Sequence, residues 1–198
     1  MRLLSPAPSV LETTTVNYEE RVSFVENILI DCLQRADRFW LLDGAMGTQL
    51  QKRGLPLGVQ PETFNLTHPE VVTQVHREYL QAGSNILYAN TFGANRLKLE
   101  GSGYSVEEVV AAGVRNALQA VKDEGRGTVF LDIGPTGKLL RPLGDLEFED
   151  AVAVFGEMVH AGVMAGAEGI LIETMSDIYE AKAALLAAKE HSDLPVFV

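Results

Sequence analysis

This chain of 198 residues has one cysteine, Cys32, and four histidines. A lone cysteine excludes an internal disulfide, and it excludes a cysteine-rich metal site built from this chain alone. Basic residues are scarce: 16 Lys and Arg stand against 27 Asp and Glu, a net charge of −11. That balance argues against a general nucleic-acid binder, which needs a basic face for phosphates. No apolar run approaches the roughly 18 to 20 residues that span a bilayer. Arg2-Leu3-Leu4 meets Ser5-Pro6 too soon to form the core of a signal peptide. The expectation is a cytoplasmic protein with neither a nucleic-acid nor a membrane partner. Several catalytic signatures are also missing. There is no G-x-G-x-x-G, no H-E-x-x-H and no G-x-S-x-G. Gly137-Lys138 is no phosphate loop, because Asp132 stands where the Walker pattern needs glycine and Leu139 where it needs Ser or Thr.

What is present is an ordinary globular composition, 46% hydrophobic and 22% charged, enough for one domain with a sizeable core. The stretch from Trp40 to Gly54 organises the rest. Apolar residues Phe39 to Leu42 run straight into Asp43, and Gly44-Ala-Met-Gly47 follows as a turn. A buried strand that ends in a carboxylate and a glycine turn is how α/β proteins present a reactive side chain. Gly44 and Gly47 allow tight turns or the close approach of a ligand. The competing reading is that Asp43 only caps a turn.

Along the chain, residues 1 to 38 read as an irregular lead followed by a helix over 18 to 36, and residues 39 to 198 as the folded body. Cys32 falls in that helix as a small packing residue. A strand is expected at 39 to 43. Gly54, Pro56, Gly58 and Pro61 mark 52 to 66 as a long connection. Thr67-His-Pro-Glu70 reads as a capping box opening a helix that stops at Ala82-Gly83. His76 lies on its apolar side and reads as a hydrogen-bonded histidine on a buried edge. A strand at 85 to 90 follows, then a helix opened by Ser105-Val-Glu-Glu108 and ending near Gly125. Further strands are expected at 128 to 133, 169 to 172 and 195 to 198, with helices at about 147 to 165 and 177 to 190. This β-α alternation predicts an α/β protein with a parallel sheet and outer helices. The run Ala82 to Thr91 matches Ala165 to Thr174 in plan, which supports a repeated unit. Two architectures fit: the N-terminal part of a (β/α)8 barrel, or a five-stranded open sheet.

Asp43, Asn90, Thr91, Asp132 and Glu173 all fall at or near strand C-termini, which converge on one face of a parallel barrel. Asp43 and Glu173 there suit a cationic group or acid/base work. Gly134-Pro-Thr-Gly137 offers backbone amides to an anionic group. The residues by themselves indicate an acidic small-molecule site in an α/β protein. An unrelated lyase or hydrolase using Asp43 and Glu173 directly also fits them.

The wording of five stretches is more specific. Leu42-Asp-Gly-Ala-Met-Gly-Thr-Gln-Leu50, Glu62-Thr-Phe-Asn-Leu66 with His68-Pro69, Asn90-Thr-Phe-Gly-Ala-Asn95 with Lys98-Leu99, Asp132-Ile-Gly-Pro-Thr-Gly137, and Ile172-Glu-Thr174 stand in order and register. Together they resemble the homocysteine S-methyltransferase domain, and most of all the N-terminal homocysteine-binding module of cobalamin-dependent methionine synthases. The resemblance runs from about Phe39 to Val198. It implies the (β/α)8 TIM-barrel class, represented here by its N-terminal part with about five strands, four outer helices and an N-terminal helix. It implies methyl transfer to the homocysteine thiol, giving methionine, with methylcobalamin as donor in the methionine synthase type. It also implies zinc held by three cysteines, which keeps the substrate thiol as the nucleophilic thiolate. The substrate-binding residues it points to are Asp43, Gly44, Asn90, Thr91, Gly134 and Glu173, with Asp43 and Glu173 near the ammonium group.

The family's zinc cysteines lie on later strands, and Cys32 matches none of them. His68, His76, His160 and His191 do not replace them, since they sit in, at the start of, or after outer helices. No catalytic residue, metal ligand or cofactor is therefore expected in this chain. It is expected to be inactive alone, either a shortened chain or a natural short protein. The alternative is a non-catalytic half-barrel that binds a small amino acid or a partner chain. Apolar edge strands predict self-association, or pairing with a C-terminal half.

Overall fold

The computed structural model describes residues 39–198. The helix expected over 18 to 36, and Cys32 within it, lie outside the described residues. Four parallel strands form one sheet in sequence order: β1 (Ile86–Tyr88), β2 (Thr128–Ile133), β3 (Gly169–Ile172) and β4 (Val196–Phe197). Between them run the outer helices. In chain order the helices are α1 (Met46–Gln51), α2 (Phe64–Thr67), α3 (Pro69–Ala82), α4 (Val106–Glu124), α5 (Phe148–Ala165) and α6 (Ile178–His191). The last four are the outer helices, packed in sequence as α3 on α4, α4 on α5 and α5 on α6.

The strand expected at 39 to 43 is reduced to a single parallel bridge between Leu42 and Ile86. Asn85 N donates to Leu41 O at 2.7 Å, and Asp43 N to Ile86 O at 3.0 Å. With a partner on one side only among the described residues, Leu41 and Leu42 stay 54% and 52% exposed, and the ladder does not extend. The five expected strands are thus four strands and a bridge. The connection expected over 52 to 66 is also more ordered than its glycines and prolines suggest. It holds a 3-10 turn (Pro61–Thr63) with proline in its first turn, then α2. The capping box expected at Thr67 does not form, and His68 is the N-cap of α3. Thr67 closes α2 and its hydroxyl donates back to Thr63 O at 3.1 Å, so it is not free to cap the next helix. The box at Ser105 does form: Glu108 N donates to Ser105 Oγ at 3.2 Å, and Ser105 N to Glu108 Oε2 at 2.9 Å.

Strand alternation divides the side chains between two faces. Leu87, Val129, Leu131, Ile133, Ile170 and Ile172 point outward into a core shared with Val110, Val114, Phe155, Val159 and Ala187. Ile86 and Phe130 point inward, packed with Trp40, Tyr88 and Leu171. The inward positions continue at the strand ends into Asn90, Asp132 and Glu173. Alternation therefore places the polar residues on the concave face, at one end of the sheet.

Candidate functional site: an acidic cavity at the strand ends

At that end lies a cavity of about 490 Å³. Its walls come from the loop after the bridge (Asp43, Gly44, Ala45, Met46, Gly47), from Pro61 and Glu62, from the end of β1 and the residues after it (Tyr88, Ala89, Asn90, Phe92), from Asp132, and from Glu173 and Thr174. Four carboxylates face this space, and among the described residues no lysine or arginine lines it.

Asp43 does not cap a turn. Its Oδ2 accepts from Tyr88 N at 3.1 Å, tying the loop to the end of β1. The imidazole of His76 on α3 lies behind it, with Nδ1 3.8 Å from Oδ2. That distance is too long for a hydrogen bond, and among the described residues neither ring nitrogen of His76 has a hydrogen-bond partner. His76 is buried, as its helical spacing implies, but it is not the hydrogen-bonded histidine expected there: it faces the Asp43 carboxyl beyond hydrogen-bonding distance. Burial holds the Asp43 carboxyl above its usual range; His76 and the Tyr88 amide offset this only in part.

Asn90 is fixed by a buried amide network. Its Nδ2 donates to Asn65 Oδ1 and Pro61 O, both at 2.9 Å. Asn65 Nδ2 donates in turn to Asn90 O at 2.7 Å. Glu62 Oε1 accepts from Gly93 N at 2.6 Å. Asp132 has no such partner: it is 7% exposed and its Oδ1 makes no hydrogen bond. Its carboxyl sits well above the usual range, first through burial and then through the negative charge of Glu173, Asp43 and Glu62. The Tyr88 phenol is pushed up to about 12 by burial and by Asp43, Glu173 and Asp132. Thr174 adopts φ 57°, a left-handed conformation uncommon away from glycine. Such strain is characteristic of ligand sites.

Of the sequence-derived candidates, Asp43, Gly44, Asn90 and Glu173 line the cavity together. Thr91 and Gly134 support it from behind. The Thr91 hydroxyl turns into the core and donates to Asp132 O at 2.8 Å. A Cβ on Gly134 would lie 2.4 Å from the Phe92 ring, so glycine lets that ring close the cavity wall. A Cβ on Gly44 would come within 3.0 Å of Tyr79, whose hydroxyl donates to Ala45 O. Two amides of Gly134-Pro-Thr-Gly137 are spent within the protein rather than offered to an anion. Gly134 N donates to Phe92 O, and Thr136 N to Glu180 Oε1 at 2.8 Å. Asp132, expected at a strand C-terminus, lines the same cavity. Glu62 and Tyr88 are the contributors that sequence reasoning passed over; Tyr88 was reachable by counting two residues on from Ile86 along β1.

Among the described residues, no group of three or more His, Cys, Asp or Glu is arranged to hold a metal ion. No helix among them is long and apolar enough to cross a membrane.

Comparison with known proteins places this geometry. Residues 40–198 match the family model for homocysteine S-methyltransferase. The methionine synthase of Mycobacterium leprae is 32% identical over 82% of this chain, and that of Mycobacterium tuberculosis 32% identical over 81%. The chain spans only 15% and 14% of those two proteins. Among solved structures, the metallated form of the homocysteine methyltransferase MmuM from Escherichia coli superposes with a TM-score of 0.72 at 22% identity. That match covers 85% of this chain and 64% of MmuM. The oxidized form gives a TM-score of 0.75 at 23% identity. These likenesses show the fold, a partial TIM-barrel type. With the family match over 40–198, they establish that the chain belongs to the homocysteine S-methyltransferase family.

Proposed function

We propose that the chain forms the amino-acid-binding face of a homocysteine methyltransferase barrel. Asp43 and Glu173 take the ammonium group of homocysteine, Met46 and Phe92 flank its methylene chain, and Asn90 orients it. The observation that carries this reading is the meeting of Asp43 and Glu173, 130 residues apart in sequence, in one cavity with no lysine or arginine in its walls. An ammonium ion needs acceptors and opposite charge, and a buried carboxylate beside a half-buried one supplies both. Gly44 belongs to the same wall, while Thr91 and Gly134 hold it in shape. The reaction served is methyl transfer to the thiol, giving methionine, with methylcobalamin as donor in the methionine synthase type and a cytoplasmic location.

Zinc, when bound in this family, supplies a deprotonated thiol. The described residues do not fit it: the cavity donors are carboxylates, a phenol and an amide, a hard oxygen set rather than the thiolate set that zinc favours. The chain alone therefore binds and orients, and thiol activation is assigned to none of its described residues. The same donor set favours a second reading, in which the chain is a non-catalytic half-barrel that binds a small amino acid or a partner chain.

Isothermal titration of the 198-residue chain with homocysteine tests the proposal. Binding that weakens by about tenfold or more in Asp43→Asn or Glu173→Gln is expected, the loss of one charge-assisted hydrogen bond. Unchanged affinity in both variants contradicts it.

A further inference from the structure

Asp132 is the carboxylate in the cavity that the reading above leaves without work. It ends the inward row of β2, two residues past Phe130. Its backbone is pinned on both sides by Thr91, whose hydroxyl donates to Asp132 O at 2.8 Å and accepts from Asp132 N at 3.1 Å. The side chain therefore has a fixed origin and points into the cavity. It is 7% exposed, and among the described residues Oδ1 has no hydrogen-bond partner, a state it shares with Asp43 Oδ1. Asp43 and Glu62 are each anchored through their other contact: Asp43 Oδ2 accepts from the Tyr88 amide and Glu62 Oε1 from the Gly93 amide, whereas no such amide holds the Asp132 side chain. A buried carboxyl with an unused acceptor is costly in the free protein. Such a group calls for a donor that arrives with a ligand.

We propose that Asp132 is a third carboxylate contact to the substrate ammonium group, completing a tripod with Asp43 and Glu173 and setting the preference for a free primary amine. The assignment rests on the reading that the amino end of the substrate lies between Asp43 and Glu173. An alkylammonium has three N–H donors, and three carboxylates at the cavity end give each donor an acceptor. The titratable groups facing Asp132 are Asp43, Glu62, Glu173 and Tyr88, and none brings positive charge. An arriving ammonium brings the positive charge that this group of acids lacks, and it donates to the carboxyl oxygen that has no protein partner. Asp132 is thus a specificity residue whose cost in the free chain is recovered on binding.

The experiment compares wild type with Asp132→Asn, and with Asp132→Ser as a second variant. Thermal melting of the free 198-residue chain is combined with titration of homocysteine and of its deaminated analogue, mercaptobutyrate. Expected is a higher melting temperature for the free Asp132→Asn chain, together with a loss of about tenfold or more in homocysteine affinity. The binding of mercaptobutyrate should not change. Opposite signs in stability and affinity are not produced by a residue that only supports the fold. Homocysteine affinity within about twofold of wild type in both variants overturns the tripod and leaves the two-carboxylate reading standing. Equal loss for homocysteine and mercaptobutyrate, with a lower melting temperature, also overturns it. Absence of homocysteine binding by wild type overturns both the tripod and the reading on which it rests.

Discussion

His76 Nδ1 lies 3.8 Å from Asp43 Oδ2, with the side chains 0% and 2% exposed. The pair joins the outer helix α3 to the loop that lines the acidic cavity. At this separation the interaction is electrostatic rather than hydrogen-bonded, and it opposes the cost of burying Asp43. Replacing His76 with Ala should leave a hole and a more isolated carboxyl. A destabilisation of about 2–4 kcal/mol is expected, from the cavity and the lost contact with the buried carboxyl. Urea denaturation measures it, and a loss below about 0.5 kcal/mol, the range of a neutral surface change, would count against the pairing.

The pH dependence of stability has a definite sign at the cavity. Asp43 and Asp132 both titrate above the ordinary value of 3.8 in the folded chain. The folded state therefore holds protons that the unfolded state has released. From these two groups, stability falls as pH rises from 3.8 through their raised folded values. Asp132→Asn removes one of the two and should flatten the decline in melting temperature as pH rises above 3.8. An equal slope in variant and wild type contradicts the assignment.

The Gly134 to Gly137 loop is held by Glu180, a buried residue of α6, whose Oε1 accepts from both the amide and the hydroxyl of Thr136 at 2.8 and 2.5 Å. Glu180→Ala leaves the buried Thr136 amide unpaired and its hydroxyl with only the 3.4 Å contact to Lys138 O. A loss of about 2–3 kcal/mol is expected by chemical denaturation. A change of less than about 0.5 kcal/mol shows that the loop is held by something else.

The sheet edges predict association. Phe39 is 87% exposed beside the bridge, and Val198 is 71% exposed beyond β4. On the concave face Phe197 packs on Phe130 with ring centroids 5.6 Å apart, yet stays 42% exposed. Apolar strands left unpaired among the described residues template pairing with other chains. Light scattering of the 198-residue chain should therefore report species larger than a monomer. A monodisperse monomer with a sharp thermal transition would refute this.

Much of this was legible in the residues. Runs such as Thr128 to Ile133 and Gly169 to Ile172 are strands with the expected limits, because β-branched and apolar residues there are bounded by glycine. Asp43 and Glu173 were legible because each ends such a run. Glu62 was not, since it sits among Gly58, Pro61 and other loop signals that hide the 3-10 turn placing it under Gly93. His76 shows on which side of its helix it lies, but spacing cannot say that the loop after the bridge brings Asp43 over it. The retreat of the first strand to one bridge depends on what lies beside it, which local pattern does not encode.

The measurement closest to the central claim is a crystal structure of the 198-residue chain with homocysteine bound. The account predicts the amino nitrogen within about 3.2 Å of carboxylate oxygens from both Asp43 and Glu173, at hydrogen-bonding distance. A homocysteine whose amino nitrogen points away from both, or that sits outside the cavity of Asp43, Asn90, Asp132 and Glu173, would contradict it.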